Sequence, residues 1–228
     1  MNALVIGAAR SGTAVSKLLA HHGYEVTLCD QNLILNRSDL EGLGIRVFEQ
    51  GTPLTLGDEH FDLVVKNPGI PMRHPLVQKF SEKQFIYNEI EIASRFAKHF
   101  SYGAITGTNG KTTTTTLLYE LLKSQFEDAA YAGNIGLALS EIVDGHEEES
   151  HHVALEIAAF QLIGCDEFKP KAATIMNLTP DHLDYFNSVE DYYDAKLRIF
   201  QKMDASDVFL RNLDDPEIVK RTRDLKCQ

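Results

Sequence analysis

The sequence predicts an α/β protein with parallel sheets, and three observations support that prediction. Strand-like and helix-like segments alternate along the 228 residues, and hydrophobic residues make up 43 % of them. Two glycine-containing turns each follow a strand-like run and precede a helical pattern. Such alternation is typical of helix-flanked parallel sheets. The length suits one large domain or two modest ones, and the apolar content is enough for a sizeable core.

The first series of elements predicts a Rossmann-like parallel sheet over residues 1–95. Its strand-like runs are Ala3–Ile6, Glu25–Cys29, Ile45–Phe48 and Phe61–Lys66, and its helical stretches are Ser11–His22 and Asn88–Lys98. The opening strand leads directly into a glycine turn, which is why we interpret it as a strand and not as a signal peptide. We expect the domain boundary between residues 95 and 101.

A second series of elements predicts a P-loop-type α/β domain over residues 96–228. Its predicted helices are Lys111–Ser124 and Val189–Gln201, and its predicted strands are Tyr102–Thr106, Val153–Ile157, Ala172–Met176 and Val208–Leu210. Five consecutive threonines, residues 112–116, weaken the first of these helices, because branching at the β-carbon restricts the side chains in a helix.

Charge and cysteine content narrow the classes of function. The net charge is −11, which disfavours a nucleic-acid partner because nucleic-acid phosphates require a basic surface. A phosphate ligand is still compatible, since helix N-termini, one lysine and Mg²⁺ hold phosphates locally. Three scattered cysteines without a CxxC pair indicate reduced thiols and a cytoplasmic location. No apolar run has the ~18 residues needed for a membrane span.

The strongest motif is GTNGKTT, which occupies Gly107–Thr113 between a predicted strand and a predicted helix. This is the context of a phosphate-binding loop, in which glycines let backbone N–H groups point at phosphate oxygens. Lys111 would reach the β- and γ-phosphates, and the Thr112 hydroxyl would bind Mg²⁺. The loop is shorter than the general pattern, because two residues instead of four separate its glycines.

The first strand–helix turn, Gly7–Gly12, resembles a dinucleotide fingerprint in which Ala9 replaces the middle glycine. Backbone groups of Ser11 and Gly12 at a helix N-terminus could hold a diphosphate. Asp30 ends the second strand, where an acidic residue meets a ribose hydroxyl in such folds. Tight packing of strand on helix is the alternative explanation of this turn.

Three further residues have the chemistry expected near a phosphate loop. Glu156 ends a strand, which is where a Mg²⁺ ligand or water-orienting group is found in such folds. His182 lies in NLTPDHLD and Lys196 lies in YYDAKLRIF. Taken alone, each has an ordinary explanation: a solvated carboxylate, a loop histidine and an exposed helical lysine.

Together these motifs resemble the Mur ligase family. The resemblance is carried, in order along the chain, by ITGTNGKTTTT, AGNIG, LEIAAFQL, NLTPDHLD and AKLRIF. Within the family, KNPGIP, NEIEIASR and NLDDP favour the branch that adds D-glutamate to UDP-N-acetylmuramoyl-L-alanine. The short phosphate loop is the family's own version.

The resemblance implies a function and a set of site residues. It implies an ATP- and Mg²⁺-dependent ligase of peptidoglycan precursor synthesis with those two substrates. The implied substrate-binding residues are Ser11, Gly12, Asp30, Gly69, Asn134 and Gln161. The implied ATP-binding residues are Gly107, Thr108, Asn109, Gly110, Lys111, Thr112 and Thr113. The implied catalytic residues are Lys111, Glu156, His182 and Lys196, and the implied metal ligands are Thr112, Glu156, His182 and a carbamylated Lys196.

Two departures from the family pattern leave alternatives open. Ala158 and Ala159 stand where the family has a serine pair, so two hydroxyls that could bind substrate are missing. The family also continues past residue 228 into the rest of the central domain and a C-terminal domain, so we expect a partial, inactive enzyme. The alternatives are a non-catalytic nucleotide-binding fragment, a Mur-type ligase for another amino acid, and a folylpolyglutamate synthase. The Gly7–Asp30 region disfavours the last.

Overall fold

The computed structural model describes all 228 residues and divides them into two compact units. The first unit comprises residues 1–96 together with 138–145, and the second comprises 97–137 together with 146–228. The division into domains at residues 95 and 96 stays a prediction from the sequence. Residues 138–145, here called the excursion, belong to the first unit although they follow a long stretch of the second. No sequence pattern predicted this.

The first unit contains a four-stranded parallel sheet, which agrees with the predicted α/β class. Its strands are β1 (Asn2–Ile6), β2 (Glu25–Cys29), β3 (Arg46–Phe48) and β4 (Leu63–Lys66), in the order β3-β2-β1-β4. Its helices up to residue 96 are α1 (Arg10–His21), α2 (Arg37–Gly42), α3 (Pro75–Ser81) and α4 (Glu89–Phe96). A single 3-10 turn covers Leu54–Asp58.

Apolar side chains cover both faces of this sheet. Successive residues of a strand point to opposite faces, so Val5 of β1 joins the cluster that contains Leu19 of α1, whereas Leu4 joins the cluster that contains Phe80 of α3. All four are essentially buried. Burial of such a side chain contributes about 1.5–3 kcal/mol, which explains why β1 is apolar at every position after Asn2.

The second unit contains a five-stranded parallel sheet. Its strands are β5 (His99–Thr106), β6 (Ala129–Gly133), β7 (Ser150–Glu156), β8 (Ala172–Ile175) and β9 (Val208–Arg211), in the order β6-β7-β5-β8-β9. The helices after residue 97 are α5 (Lys111–Lys123), α6 (Leu139–Val143), α7 (Ala159–Leu162), α8 (Val189–Leu197) and α9 (Pro216–Arg221). Of these, α6 lies in the excursion and belongs to the first unit.

The predicted strands are all present, with ends that differ by a few residues, whereas β6 and the short helices were not predicted. The threonine-rich segment is helical as α5, and its hydroxyls bond within the helix: Thr115 Oγ1 donates to the Lys111 carbonyl oxygen at 2.9 Å. No helix of the protein has the length and apolar composition required to cross a bilayer.

Candidate functional site

The phosphate loop of the second unit lies between the end of β5 and the start of α5. Gly110 precedes the helix with φ 82° and ψ −5°, a left-handed conformation that glycine adopts without a steric cost. The N–H groups of the first helical turn have no acceptor within the helix. They coincide with the positive end of the helix dipole, which makes this end of α5 suitable for an anion.

Lys111 lies inside this loop. Its ammonium donates to the carbonyl oxygens of Gly107 and Thr108, each at 2.9 Å. The positive charge is therefore held at the mouth of the turn, next to the unpaired N–H groups of α5.

Three residues singled out from the sequence are in direct contact at the carboxyl end of the sheet. Glu156 ends β7 and is 1 % exposed. Its Oε2 accepts a hydrogen bond from Thr112 Oγ1 at 2.9 Å, and its Oε1 accepts one from Asn134 Nδ2 at 2.8 Å. Parallel strands β6 and β7 end at the same edge, which explains how residues from three motifs come together.

Lys196 is buried within α8, so the description of an exposed helical lysine does not apply to it. The residue is 1 % exposed, its Nζ donates to the Gly107 carbonyl oxygen at 2.8 Å, and it lies 4.5 Å from the ring centroid of Tyr192. Burial and, to a smaller extent, the nearby ammonium of Lys111 lower the pKa of Lys196 to about 7. The amine of Lys196 is therefore much more often neutral near pH 7 than that of an ordinary lysine.

His182 occupies a strained loop position beside the same tyrosine. Its φ is 52° and its side chain is 47 % exposed. The centroid of its ring lies 5.8 Å from the ring centroids of both Phe160 and Tyr192, and its plane is nearly perpendicular to that of Phe160. Tyr192 thus contacts both His182 and Lys196, although the sequence analysis had not singled it out.

Gln161 has a structural contact in addition to its predicted contact with substrate. It is 4 % exposed, and its Oε1 accepts a hydrogen bond from the backbone N–H of Ala158 at 2.8 Å, at the start of α7. Ala158 and Ala159, which replace the serine pair of the family, are both buried at the same helix end. The role of Gln161 in substrate binding stays a prediction.

Oxygen donors suited to Mg²⁺ are present at the phosphate loop, but no ready-made metal cluster is. No group of three or more His, Cys, Asp or Glu side chains is arranged so that it could hold a metal ion. Thr112 and Glu156 nevertheless offer a hydroxyl and a carboxylate in contact, and Mg²⁺ binds through one or two protein ligands plus phosphate oxygens and water. The residues present therefore fit a magnesium ion that arrives with a nucleotide.

The turn between β1 and α1 forms the second candidate site, in the first unit. Asp30 Oδ2 accepts a hydrogen bond from the Ala8 N–H at 2.6 Å, and Asp30 Oδ1 accepts one from the Asn32 N–H at 2.8 Å. A Cβ atom at Gly12 would lie 1.8 Å from the Gly7 carbonyl oxygen, so only glycine allows this close approach of helix and strand.

Asn67 connects two predicted substrate-binding residues of the first unit. Its Nδ2 donates to Ser11 Oγ at 2.9 Å, and its Oδ1 accepts from the Gly69 N–H at 3.0 Å. Lys66 supports the same loop by donating to the Ile70 carbonyl oxygen at 2.8 Å, and burial lowers the pKa of Lys66 to about 8. The sequence analysis missed Asn67, although it lies in the KNPGIP motif.

Comparison with known proteins identifies the class. Residues 105–228 match the family described as "Mur ligase middle domain", and the chain belongs to the Mur ligase family. A protein of Geobacillus kaustophilus named UDP-N-acetylmuramoylalanine-D-glutamate ligase is 43 % identical over 99 % of this chain. One of the same name from Streptococcus agalactiae is 41 % identical over 96 %.

A solved structure supports the fold at lower sequence similarity. The chain aligns with UDP-N-acetylmuramate:L-alanyl-gamma-D-glutamyl-meso-diaminopimelate ligase from Neisseria meningitides at a TM-score of 0.64 and 17 % identity, over 99 % of this chain and 76 % of that one. The chain spans 50 % of the length of each of the two curated relatives.

Proposed function

We propose that this chain carries the UDP-substrate-binding part and much of the ATP-binding part of a ligase that joins D-glutamate to UDP-N-acetylmuramoyl-L-alanine. The names of the two relatives, at 43 % and 41 % identity, support the choice of substrates. The single structural observation that carries the proposal is the contact of Glu156 with Thr112 and Asn134 at the phosphate loop.

In this proposal the loop Gly107–Thr113 binds the phosphates of ATP. The unpaired N–H groups at the start of α5 and the Lys111 ammonium supply positive charge. Thr112 and Glu156 would hold one Mg²⁺, and His182 with a carbamylated Lys196 would bind a second. The metal ions supply charge neutralisation between a carboxylate and a triphosphate, which repel each other.

The reaction has two steps. The free carboxylate of the alanyl substrate attacks the γ-phosphorus of ATP, the bond to the β-phosphate oxygen breaks, and an acyl phosphate and ADP form. The amine of D-glutamate then attacks the acyl carbon, loses a proton, and inorganic phosphate leaves. Positioning and electrostatic stabilisation account for most of the catalysis in phosphoryl transfer, and the fixed contacts of Lys111 and Glu156 suit that role.

The carbamate at Lys196 is proposed from the family resemblance and supported by its surroundings. Its Nζ is buried and lies 2.8 Å from the Gly107 carbonyl oxygen, so it is already beside the phosphate loop. Addition of CO₂ to the neutral amine forms an N–C bond, releases one proton and converts the amine into a carbamate, which is an anionic oxygen donor. A high-resolution map of crystals grown with Mg²⁺ and bicarbonate is expected to have extra density on this nitrogen.

The first unit binds the UDP moiety in this proposal. Ser11 and Gly12 hold the diphosphate at the start of α1, while Asp30 and Gly69 lie on the uridine side. The hydrogen bonds of Asn67 to Ser11 and Gly69 support it, because they make these two residues parts of one surface. We place the reaction in the cytoplasm, where both nucleotides are available.

The decisive experiment uses two measurements on the same sample of the 228-residue chain. Calorimetry with UDP-N-acetylmuramoyl-L-alanine and with MgATP tests the two binding sites separately. Mass spectrometry after long incubation with both nucleotides and D-glutamate tests ligation. We expect binding of the UDP ligand, weaker binding of MgATP and no amide product, because half of the length of the relatives is outside this chain and shielding of an acyl phosphate requires closure.

Each outcome of this experiment has a clear meaning. Robust amide formation would contradict the proposal that the chain is a partial enzyme. Binding of MgATP without any affinity for the UDP ligand would contradict the assignment of the first unit. Failure to bind either nucleotide would contradict the proposed function as a whole.

A further inference from the structure

A segment that follows β8 is bonded to the phosphate loop through the side chain of Asn177. Its Oδ1 accepts hydrogen bonds from the backbone N–H groups of Thr108 at 3.1 Å and Asn109 at 2.8 Å. Its Nδ2 donates to the Asn109 carbonyl oxygen at 3.1 Å. One carboxamide therefore pairs with three backbone groups of the loop.

The backbone of the same segment adds reciprocal bonds. The Thr108 N–H also approaches the Asn177 carbonyl oxygen at 3.2 Å. The Thr108 hydroxyl donates to the Thr179 carbonyl oxygen at 3.0 Å and accepts from the Thr179 N–H at 3.2 Å. The first half of the loop is thus tied to residues about 70 positions later in the sequence.

The segment that carries Asn177 is itself fixed to the sheet. The Met176 N–H donates to the Thr106 carbonyl oxygen of β5 at 2.8 Å, and Asn212 Nδ2 donates to the Met176 carbonyl oxygen at 2.8 Å. Asn177 is therefore presented to the loop from a rigid strand end, which makes it able to order the loop and not merely to follow it.

We infer that Asn177 is a positioning residue that holds the first half of the phosphate loop, so that the backbone N–H groups of the second half are left to meet phosphate. This rests on the proposed nucleotide-binding function. The N–H groups of Thr108 and Asn109 point to Asn177, whereas those at the start of α5 have no acceptor within the helix. The loop is accordingly divided into a held half, residues 107–109, and a binding half, residues 110–113.

The chemistry of the carboxamide argues that phosphate does not displace it. A phosphate group offers only acceptor oxygens to the loop, so it could replace Asn177 Oδ1 at the two N–H groups. It could not replace Nδ2, and the Asn109 carbonyl oxygen would lose its donor. Because Asn177 supplies both a donor and acceptors, it fits a permanent contact better than a substitute for an absent ligand.

An ordered loop lowers the entropy that nucleotide binding must remove. Fixing the backbone of a free residue costs roughly 1–2 kcal/mol, and a ligand that meets an ordered loop avoids that cost. Loss of the Asn177 side chain is therefore expected to weaken MgATP binding about tenfold or more, although the side chain does not meet the phosphates.

The first test is amide hydrogen exchange, measured by NMR on the 228-residue chain. We expect the N–H groups of Thr108 and Asn109 to be protected without nucleotide, to stay protected with MgATP, and to lose protection in Asn177→Ala. Fast exchange of both amides in the nucleotide-free wild type would overturn the inference, as would protection that arises only when MgATP is added.

The second test compares MgATP affinities by calorimetry, with Asn212→Ala as the matched control. Both asparagines are partly buried and contact the same segment, but Asn212 does not contact the loop. We expect Asn177→Ala to weaken MgATP binding about tenfold or more and Asn212→Ala to change it less than about threefold. UDP-ligand affinity should be unchanged in both variants. Equal losses in both variants, or no loss in Asn177→Ala, would overturn the inference.

The two tests separate this inference from the proposed function. If the wild type does not bind MgATP, the proposed function fails, while the exchange of the Thr108 and Asn109 amides still decides whether Asn177 holds the loop. If the wild type binds MgATP and Asn177→Ala binds it equally well, only the inference fails. The exchange measurement on the wild type also stays decisive if Asn177→Ala does not fold.

Discussion

In both units a parallel strand is joined to a helix at a candidate nucleotide site, but the two turns are held in different ways. In the first unit the turn is tightened by a steric contact, because the Cα of Gly12 lies against the Gly7 carbonyl oxygen. In the second unit the helix start is more open, since a Cβ at Gly110 would have only Met176 Cε nearby, at 3.9 Å, although a Cβ at Gly107 would lie 2.8 Å from Met176 Cβ. The shape of this turn also depends on hydrogen bonds with Asn177 and Lys111.

The two turns also differ in the charged groups that they contain or contact. The first turn contains Arg10 and is bonded to one carboxylate, Asp30 at the end of β2, which accepts from backbone N–H groups. The second combines a lysine with a buried glutamate, Glu156, whose two oxygens both have side-chain donors. A turn with a fixed lysine suits a highly charged triphosphate, whereas a turn closed by packing suits recognition through hydrogen bonds.

The largest expected effect tests whether packing or hydrogen bonding shapes each turn. Gly12→Ala should destabilise the first unit by at least about 3 kcal/mol, because its Cβ would collide with a backbone oxygen. Gly110→Ala should cost only about 1 kcal/mol, the strain of a left-handed conformation in alanine. Urea denaturation of both variants measures the difference, and equal losses would contradict the comparison.

A buried carboxylate in the first unit provides the second prediction, which concerns pH. Glu89 is 2 % exposed, and its Oε1 accepts from the Ser140 N–H of the excursion at 2.5 Å. Burial and, to a smaller extent, nearby Glu141 raise the pKa of Glu89 to about 7, against the opposing effects of the Ser140 N–H and Arg10. Its Oε2 has no hydrogen-bond partner, in contrast to both oxygens of Glu156.

The direction of the pH effect follows from proton binding. Between pH 4.5 and 7 the folded protein keeps a proton on Glu89 that the unfolded chain has lost, so folding is most favoured below pH 4.5 and loses stability as the pH rises to 7. Between pH 4.5 and pH 8 the free energy of unfolding of the wild type should fall by roughly 3 kcal/mol from this group. Glu89→Gln should remove that loss. The exposed Glu120→Gln is the control, and a wild-type pH slope retained in Glu89→Gln would contradict the prediction.

The third prediction tests the dependence of the second turn on its lysine. Lys111→Ala removes the ammonium from the mouth of the loop and should weaken MgATP binding about 100-fold, as expected for loss of charge-assisted bonds. UDP-ligand binding should change less than about twofold. Lys123→Ala, at the other end of the same helix, is the matched control in calorimetry. An unchanged MgATP affinity in Lys111→Ala would show that the loop does not bind nucleotide through this residue.

The smallest expected effect concerns the carboxylate of the first turn. Asp30→Asn retains only one acceptor oxygen for the N–H groups of Ala8 and Asn32, so one of them loses its partner. We expect UDP-ligand affinity to fall about fivefold, which corresponds to one hydrogen bond, with the exposed Asp39→Asn as the control. If Asp30→Asn lowered UDP-ligand affinity as much as Lys111→Ala lowers MgATP affinity, charge would dominate ligand binding at both turns.

Local patterns were sufficient to predict the phosphate loop and every strand of the two sheets except β6. Each predicted strand is an apolar run bounded by polar or glycine residues, and the loop has its glycines, lysine and threonine within seven positions. The contact of Glu156 with Thr112 was also anticipated in outline, because Glu156 ends a strand beside the phosphate loop that contains Thr112.

Contacts between distant polar residues could not be predicted in the same way. Asn177 and Asn67 are short amides in loops, and their partners are 69 and 56 positions away. Nothing in the local sequence distinguishes them from solvated loop residues, since their role depends on the strand order. The excursion was missed for a related reason, because α6 has only five residues and its apolar pattern is too short to assign.

The excursion has a consequence for the order in which the protein is made. During synthesis, domains fold as their residues emerge from the ribosome, beginning at the N-terminus. The first unit is incomplete when residue 96 emerges, because α6 is absent and Glu89 has no Ser140 to bind. The ribosome must add the whole phosphate loop, α5 and β6 before residue 145 completes the unit. The nascent chain therefore contains β5 and β6, which do not pair with each other, before α6 completes the first unit.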